Sequence, residues 1–237
     1  MAEALPKYKT DFLHASLAGG ALRFGTFELK SGRMSPYFFN AGSFYTGTLH
    51  AAIVDAFADA IRNSPEFGSG SGGFDVIFGP AYKGIPLAAG VLYALAKGRD
   101  GKGDEKYGDG VAYAFDRKEA KDHGEGGTLV GAPLEGKRVL IIDDVVSSGT
   151  AKRQAVEMIR AAGGVVAGIV VALDRQETLP GGDGNTSAIG ELRRSLGVPV
   201  LAIVRLDDII TGMRGGAVSD DDIRRMEEYR SKYGASD

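Results

Sequence analysis

Cysteine is absent from all 237 residues. That gap removes disulfides, thiolate zinc sites and cysteine nucleophiles together, and it fits a reducing compartment. A basic excess is lacking too, since 28 Lys and Arg against 31 Asp and Glu leave a formal net charge of −3. No global positive field is available to nucleic acid, and no local patch is dense enough to replace one, so no nucleic-acid partner is expected. Long apolar runs are missing as well: none approaches the ~18 residues of a membrane span. The opening residues Met1-Ala2-Glu3-Ala4-Leu5-Pro6 contain no apolar core of signal-peptide length. These absences lead to the expectation of a soluble, cytoplasmic protein without a membrane partner. Of the three histidines, His14 and His50 fall on helical stretches where packing or surface roles suffice. No cluster has metal-ligand spacing, so no dedicated metal site is expected.

What is present is concentrated in residues 139–150, VLIIDDVVSSGT. The β-branched run reads as a parallel strand covered on both faces, and Gly149 opens a turn into a helix from Thr150. The first-turn amides of such a helix are unpaired and carry the positive end of its dipole. Ser147, Ser148, Gly149 and Thr150 can therefore wrap a phosphate monoester, with Val145, Val146 and Ala151 completing the substrate-binding segment. Asp143 and Asp144 would repel a phosphate, so their natural partners are ribose hydroxyls or a magnesium ion carried in with the ligand. The plainer alternative is an acidic cap followed by a solvated turn. A cap needs one acid, whereas two acids and four phosphate-sized groups in a row point to a site for a phosphorylated sugar. A P-loop is excluded, because no Gly-x-x-x-x-Gly-Lys-Ser/Thr run occurs and Lys152 follows Thr150. A dinucleotide fingerprint does not fit, because the acids precede the glycine turn on the same strand.

The rest of the chain alternates between two periodicities. Helical spacing covers residues 8–22 and 48–62, with strand-like pieces at 24–29 and 37–41 between them. Strands follow at 75–79, 111–115, 138–143, 165–173 and 199–205, interleaved with helices over 85–97, 150–162, 186–196 and 219–233. This repetition predicts an α/β fold: a mostly parallel central sheet flanked by helices, with right-handed crossovers and a site along the strands' carboxyl ends. One domain over residues 1–237 is expected, with residues 1–45 outside the alternation as a covering hood. Residues 68–73 and 98–110 read as solvated insertions with too little apolar content to pack. Residues 118–131 form a third segment expected to be mobile.

Residues 117–127, RKEAKDHGEGG, place Arg117, Lys118, Lys121 and His123 before a glycine-rich tail. A charge run is most often a solvated surface loop. One strand away from an anion site, the same run can close as a lid and bring cations to a leaving diphosphate. The segment 139–150 resembles the signature of the type I phosphoribosyltransferases. Residues 117–127, together with 27–40 (FELKSGRMSPYFFN) and 79–87 (GPAYKGIPL), are similar to the catalytic loop, covering segment and diphosphate loop of that family's orotate phosphoribosyltransferases. The match spans roughly residues 20–176 in the same order, and motifs of this length are specific.

The resemblance implies the type I phosphoribosyltransferase fold with a small N-terminal hood. It implies transfer of the phosphoribosyl group of 5-phosphoribosyl 1-diphosphate to N1 of orotate, giving orotidine 5′-monophosphate and diphosphate in pyrimidine synthesis. It also implies magnesium carried mainly by the diphosphate, and a homodimer whose loop 117–127 is shared across subunits. Residue by residue, the family's pattern places Asp143 and Asp144 at the ribose and Lys118, Lys121 and His123, with Arg117, at the diphosphate. Lys30, Phe38 and Phe39 then contact orotate and the diphosphate substrate, Tyr82 and Lys83 lie on the diphosphate, and Arg175 takes the orotate carboxylate. Ser147 stands where the family usually has threonine contacting orotate, keeping the hydroxyl and losing a methyl.

These roles also have reasons of their own. A flat anionic pyrimidine suits the ring face of a phenylalanine and the fork of an arginine. Alternate strand residues point opposite ways, so one of Phe38 and Phe39 is expected to face the core. Lys83 by itself reads as a solvated helix start, which the adjoining motif makes the lesser reading. A phosphoribosyltransferase that salvages a purine or uracil would differ in the base pocket, against which Lys30, Phe38, Phe39 and Arg175 speak. A regulatory protein of the same fold that binds nucleic acid would need a basic face and a decayed loop. Residues 180–186 and the C-terminal helix carry no chemistry legible in the sequence.

Overall fold

In a computed structural model of the chain, residues 4–68, 73–121, 127–146, 150–181, 184–216 and 218–237 are described, with the side chains of Ala120 and Lys121 excepted. The helix α1 (Lys7–Ala18) leads into a hairpin of β1 (Leu22–Glu28) and β2 (Met34–Phe39), and α2 (Gly47–Asn63) follows. The alternating part then runs β3 (Val76–Gly79), α3 (Gly84–Lys97), β4 (Ala112–Lys121), β5 (Gly127–Gly131), β6 (Arg138–Val145), α4 (Thr150–Ala161), β7 (Val165–Asp174), α5 (Ala188–Leu196) and β8 (Val200–Arg205). Two helices close the chain, α6 (Leu206–Met213) and α7 (Asp220–Tyr233).

The main sheet has the order β5-β4-β3-β6-β7-β8, and the β1–β2 hairpin forms a separate antiparallel sheet. Neighbours from β4 to β8 pair in parallel, and β5 is antiparallel to β4. The predicted α/β architecture is thus the observed one. Burial on both faces explains the unbroken apolar runs. Along β6, Leu140 and Ile142 join the core beneath α2 and α3, while Val139 and Ile141 join the one beneath α4 and α5. The same two-residue alternation sends Ile77 of β3 one way and Val76 and Phe78 the other. Phe12 and Leu13 of α1 and Leu22 and Tyr37 of the hairpin belong to the first of these cores.

The chain runs outward from β3 to β4 and β5, then crosses back to β6 on the opposite side of β3 and continues to β7 and β8. The order therefore reverses between β3 and β6. In open α/β sheets the crevice outside the strand ends at such a reversal is where ligands bind.

Three expectations are corrected. The segment read as a loop from residue 117 is strand over its first half: β4 continues through Lys121, which pairs with Gly127 of β5. Polar residues hid this because an edge hairpin needs no apolar alternation, and charges on an edge protect it from foreign pairing. Residues 127–131, expected to be mobile, are that partner strand. The third correction concerns residues 98–110. Tyr107 is 2% exposed and stacks on Phe74 at 6.0 Å, while Gly103 and Asp104 donate to the carbonyls of Lys97 and Ala96. Lys106 Nζ donates to the Phe67 and Gly68 carbonyls at 3.2 and 2.7 Å. One buried aromatic and a few backbone bonds anchor a segment whose average composition is polar. Helix α6 was not anticipated.

Candidate active site

The turn after β3 and the end of β6 face each other at the reversal. Gly79, the last residue of β3, is required by space: a Cβ there would lie 2.4 Å from the Gly84 carbonyl oxygen. A Cβ on Gly84 would meet Pro80 Cδ at 2.6 Å and the Ile142 carbonyl oxygen at 2.9 Å, so this turn packs directly against β6. Asp116 of β4 accepts a 2.7 Å hydrogen bond from the Ala81 amide, fixing the turn from its other side. Tyr82 and Lys83 are thereby left exposed at the start of α3.

At the end of β6, Asp144 Oδ2 accepts from Lys83 Nζ at 3.0 Å, a bond that spans the crevice and joins β6 to that turn. Asp143 accepts from the Asp144 amide at 2.9 Å, and Asp144 from the Val145 amide at 2.7 Å. Each carboxylate is thus oriented by the backbone of the residue after it. Val145 and Val146 pack into opposite cores, and Thr150 and Ala151 occupy the first turn of α4. Ser147, Ser148 and Gly149 lie outside the described residues, as does His123.

Between the hairpin and the ends of β6 and β7 opens a cleft of about 600 Å³. Lys30, from the turn joining β1 and β2, lines it together with Phe38, Phe39, Val145, Val146 and Arg175, so the structure brings these six predicted residues together. Phe39 also packs near Phe12 and Phe44, at ring distances of 6.2 and 6.3 Å, whereas Phe38 pairs with Phe27 at 5.5 Å and lies under the Arg23 guanidinium. The expectation that one of the pair serves the core is met by Phe39, which keeps an edge in the cleft.

Arg175 is fixed from three directions. Its guanidinium lies 4.4 Å from the centroid of the buried Tyr37 ring, its Nη2 donates to Ser35 Oγ at 3.0 Å, and its Nε donates to Glu177 Oε1 at 2.7 Å. Burial works to lower the pKa of Arg175, but Tyr37 and Glu177 beside it outweigh that and raise it, so the charge is retained. Burial, and then the Glu177 charge, push the Tyr229 hydroxyl up to about 12. Glu177 is braced in turn: Arg33 lies 3.9 Å from it, donates to the Thr178 carbonyl at 2.8 Å and stacks on Tyr233.

The C-terminal segment, silent in the sequence, supports this wall. The Thr178 amide donates to the Tyr233 carbonyl, and the Ala235 amide to the Gln176 carbonyl. Arg225 of α7 donates to the Gly25 carbonyl and to Thr26 Oγ1, tying α7 to the hairpin over the cleft.

A second cleft lies on the far side of the Pro80 turn, between it, β4 and α4, lined by Asp116, Arg117, Lys118 and Ala151 among others. Arg117 Nε donates to the Gly127 carbonyl at 3.0 Å, and Lys118 is exposed. Lys121 is the last residue of β4, and its side chain is not among those described. Sequence reasoning missed Asp116, Glu177 and Lys152. Glu177 sits two residues from Arg175, and Lys152 falls on the apolar stripe of its helix, so both carried a readable signal.

The phosphoribosyl transferase domain family matches residues 43–183. Over 239 residues the chain is 57% identical to the orotate phosphoribosyltransferase of Neurospora crassa, covering 99% of each. It is 56% identical to that of Metarhizium anisopliae, with all of both chains covered. Among solved structures it is similar to the orotate phosphoribosyltransferase of Francisella tularensis, with a TM-score of 0.78 and 38% identity over 94% of this chain and 99% of that one.

Proposed function

The chain belongs to the phosphoribosyl transferase family and, within it, to the orotate phosphoribosyltransferases, and from that premise we propose how its residues divide the reaction. The enzyme transfers the phosphoribosyl group of 5-phosphoribosyl 1-diphosphate to N1 of orotate, giving orotidine 5′-monophosphate and diphosphate in de novo pyrimidine synthesis. N1 attacks the anomeric carbon as the bond to the diphosphate oxygen breaks. Positive charge then grows on the ribose ring and negative charge on the departing diphosphate. Catalysis of such a step needs carboxylates near the first and cations near the second.

The observation that carries the division is the Lys83–Asp144 bond across the sheet's reversal. An acidic group on β6 and a cation on the opposite turn lie within 3.0 Å of each other at the reversal, the part of an open α/β sheet where ligands bind, which supports a sugar on one side and a diphosphate on the other. Under this reading Asp143 and Asp144 face the ribose. Tyr82, Lys83, Arg117, Lys118, Lys121 and His123 serve the diphosphate. The 5′-phosphate rests on the segment from Val145 to Ala151, where the amides of the first turn of α4 favour an anion. Orotate occupies the cleft, with its ring against Phe38 and Phe39 and its carboxylate on Arg175, while Lys30 meets an anionic group of either substrate.

Magnesium would be carried in by the diphosphate substrate, whose oxygens, with water, suit a hard and strongly hydrated cation. The chemistry it would supply there is neutralisation of the leaving group. We propose further that the chain works as a single domain in which residues 1–45 cover the cleft, and as a homodimer sharing the segment 117–127 between subunits. Among the described residues no helix is long and apolar enough to cross a membrane. The lack of cysteine supports a cytoplasmic location.

A panel of bases tests the pocket. With 5-phosphoribosyl 1-diphosphate and magnesium, kcat/KM for orotate should exceed that for uracil, adenine and hypoxanthine by at least about a hundredfold, because a base that lacks a carboxylate forgoes the charge-assisted hydrogen bonding that the Arg175 guanidinium offers. Equal use of uracil or a purine would remove orotate from the cleft.

A further inference from the structure

Lys152, Ala155, Val156 and Ile159 fall on one stripe of α4, and all four are buried. Lysine is almost never fully buried unless paired, so this position demands a partner. Lys152 Nζ lies 2.5 Å from Asp143 Oδ2, and the two side chains are 7% and 10% exposed. The same ammonium donates to the Val145 carbonyl at 2.5 Å. Two successive aspartates at one strand end thus have cations of different kinds. Asp144 is bonded to Lys83, whose side chain is 57% exposed and able to turn toward an arriving anion. Asp143 is bonded to an interior cation that cannot leave without stranding a carboxylate in the core.

We propose that Lys152 is a positioning residue for 5-phosphoribosyl 1-diphosphate. It neutralises Asp143 and ties the end of β6 to the first turn of α4. When Lys83 turns to the diphosphate, the acidic pair then faces the substrate with the charge of Asp144 alone. Two uncompensated carboxylates would repel a polyanion carrying three phosphoryl groups, whereas one can accept ribose hydroxyls at a smaller electrostatic cost. Lys152 acts through Asp143 and touches no substrate atom. The inference rests on the reading of this crevice as the diphosphate–sugar site.

The test is a double-mutant cycle on binding of magnesium 5-phosphoribosyl 1-diphosphate, without any base, measured by titration calorimetry of the full chain. Lys152→Met should weaken binding by roughly tenfold or more, since it leaves Asp143 charged and unpaired. In the Asp143→Asn background the same change should cost less than about threefold, because the carboxylate charge through which it acts is gone and only the bond to the Val145 carbonyl is lost with it. Turnover assays should show the split a merely structural lesion would not: KM for the diphosphate substrate rises, while KM for orotate stays within about twofold. Losses that multiply in the double variant, or a Lys152→Met protein that binds as tightly as the unmodified one, overturn the proposal. If Lys152→Met alone does not fold, the double variant, which holds no interior charge at this position, is compared with Asp143→Asn, whose amide oxygen still accepts from Lys152, and the same threefold limit decides. An unmodified protein that binds no 5-phosphoribosyl 1-diphosphate overturns both the site reading and this inference. One that binds it but does not turn over orotate overturns the base assignment alone, and the titrations still decide the role of Lys152.

Discussion

Lys121→Ala should lower kcat for orotate by about a hundredfold or more and leave the unfolding temperature unchanged. The backbone of Lys121 ends β4 and pairs with Gly127, so the residue stands at the last position of that strand. A cation there assists only if it meets the diphosphate as its charge grows, and an interaction made in the transition state alone appears in kcat and in kcat/KM together. Removing one preorganised donor of this kind costs on the order of 3 kcal/mol. Near-normal turnover would detach the 117–127 segment from catalysis. The same variant examines sharing between subunits. Mixed in equal amounts with an Arg175→Ala protein and allowed to exchange, it should regain about a quarter of normal activity, since half of the dimers then hold one complete site. No regain after exchange argues that each subunit serves its own site.

Arg175→Lys should raise KM for orotate by roughly tenfold to a hundredfold and leave KM for 5-phosphoribosyl 1-diphosphate unchanged. The charge survives this substitution, so the loss measures the fork. In the structure the guanidinium plane lies over Tyr37 and is held by Ser35 and Glu177, which sets its orientation before any ligand arrives. A lysine ammonium neither stacks in that way nor offers two parallel donors to a carboxylate. A parallel rise in both KM values would mean that the wall from Arg175 to Thr178 had shifted as a whole. An unchanged orotate KM would place the carboxylate elsewhere in the cleft.

How much of this was legible follows from what each signal depends on. The run Val139 to Ile142 announced a strand buried on both faces because burial on both faces demands apolar residues at every position. Asp143 and Asp144 were legible at the end of it because the limit of a strand is a local signal, and the residues that follow, Ser147 to Gly149, lie outside the described residues. β5 was not legible: an edge strand that faces solvent is stabilised by its neighbour's backbone and leaves no pattern of its own. The packing of Tyr107 on Phe74 and the bonds from the Tyr233–Ala235 backbone to residues 176–178 join parts distant in sequence, and no window of the chain contains both partners. Lys152 is the instructive case between these. Its spacing from Ala155, Val156 and Ile159 placed a charge on an apolar stripe, which is itself a sign of a buried partner. Naming Asp143 as that partner required the crossing of α4 over the end of β6.

The chain's central assignment is that one site joins orotate to the sugar of 5-phosphoribosyl 1-diphosphate. The most direct measurement mixes the purified protein with both substrates and magnesium and follows loss of orotate absorbance beside release of diphosphate. Loss and release in equal amounts, with orotidine 5′-monophosphate as the product, is the predicted result. Diphosphate released without loss of orotate, or no turnover of either substrate, would contradict it.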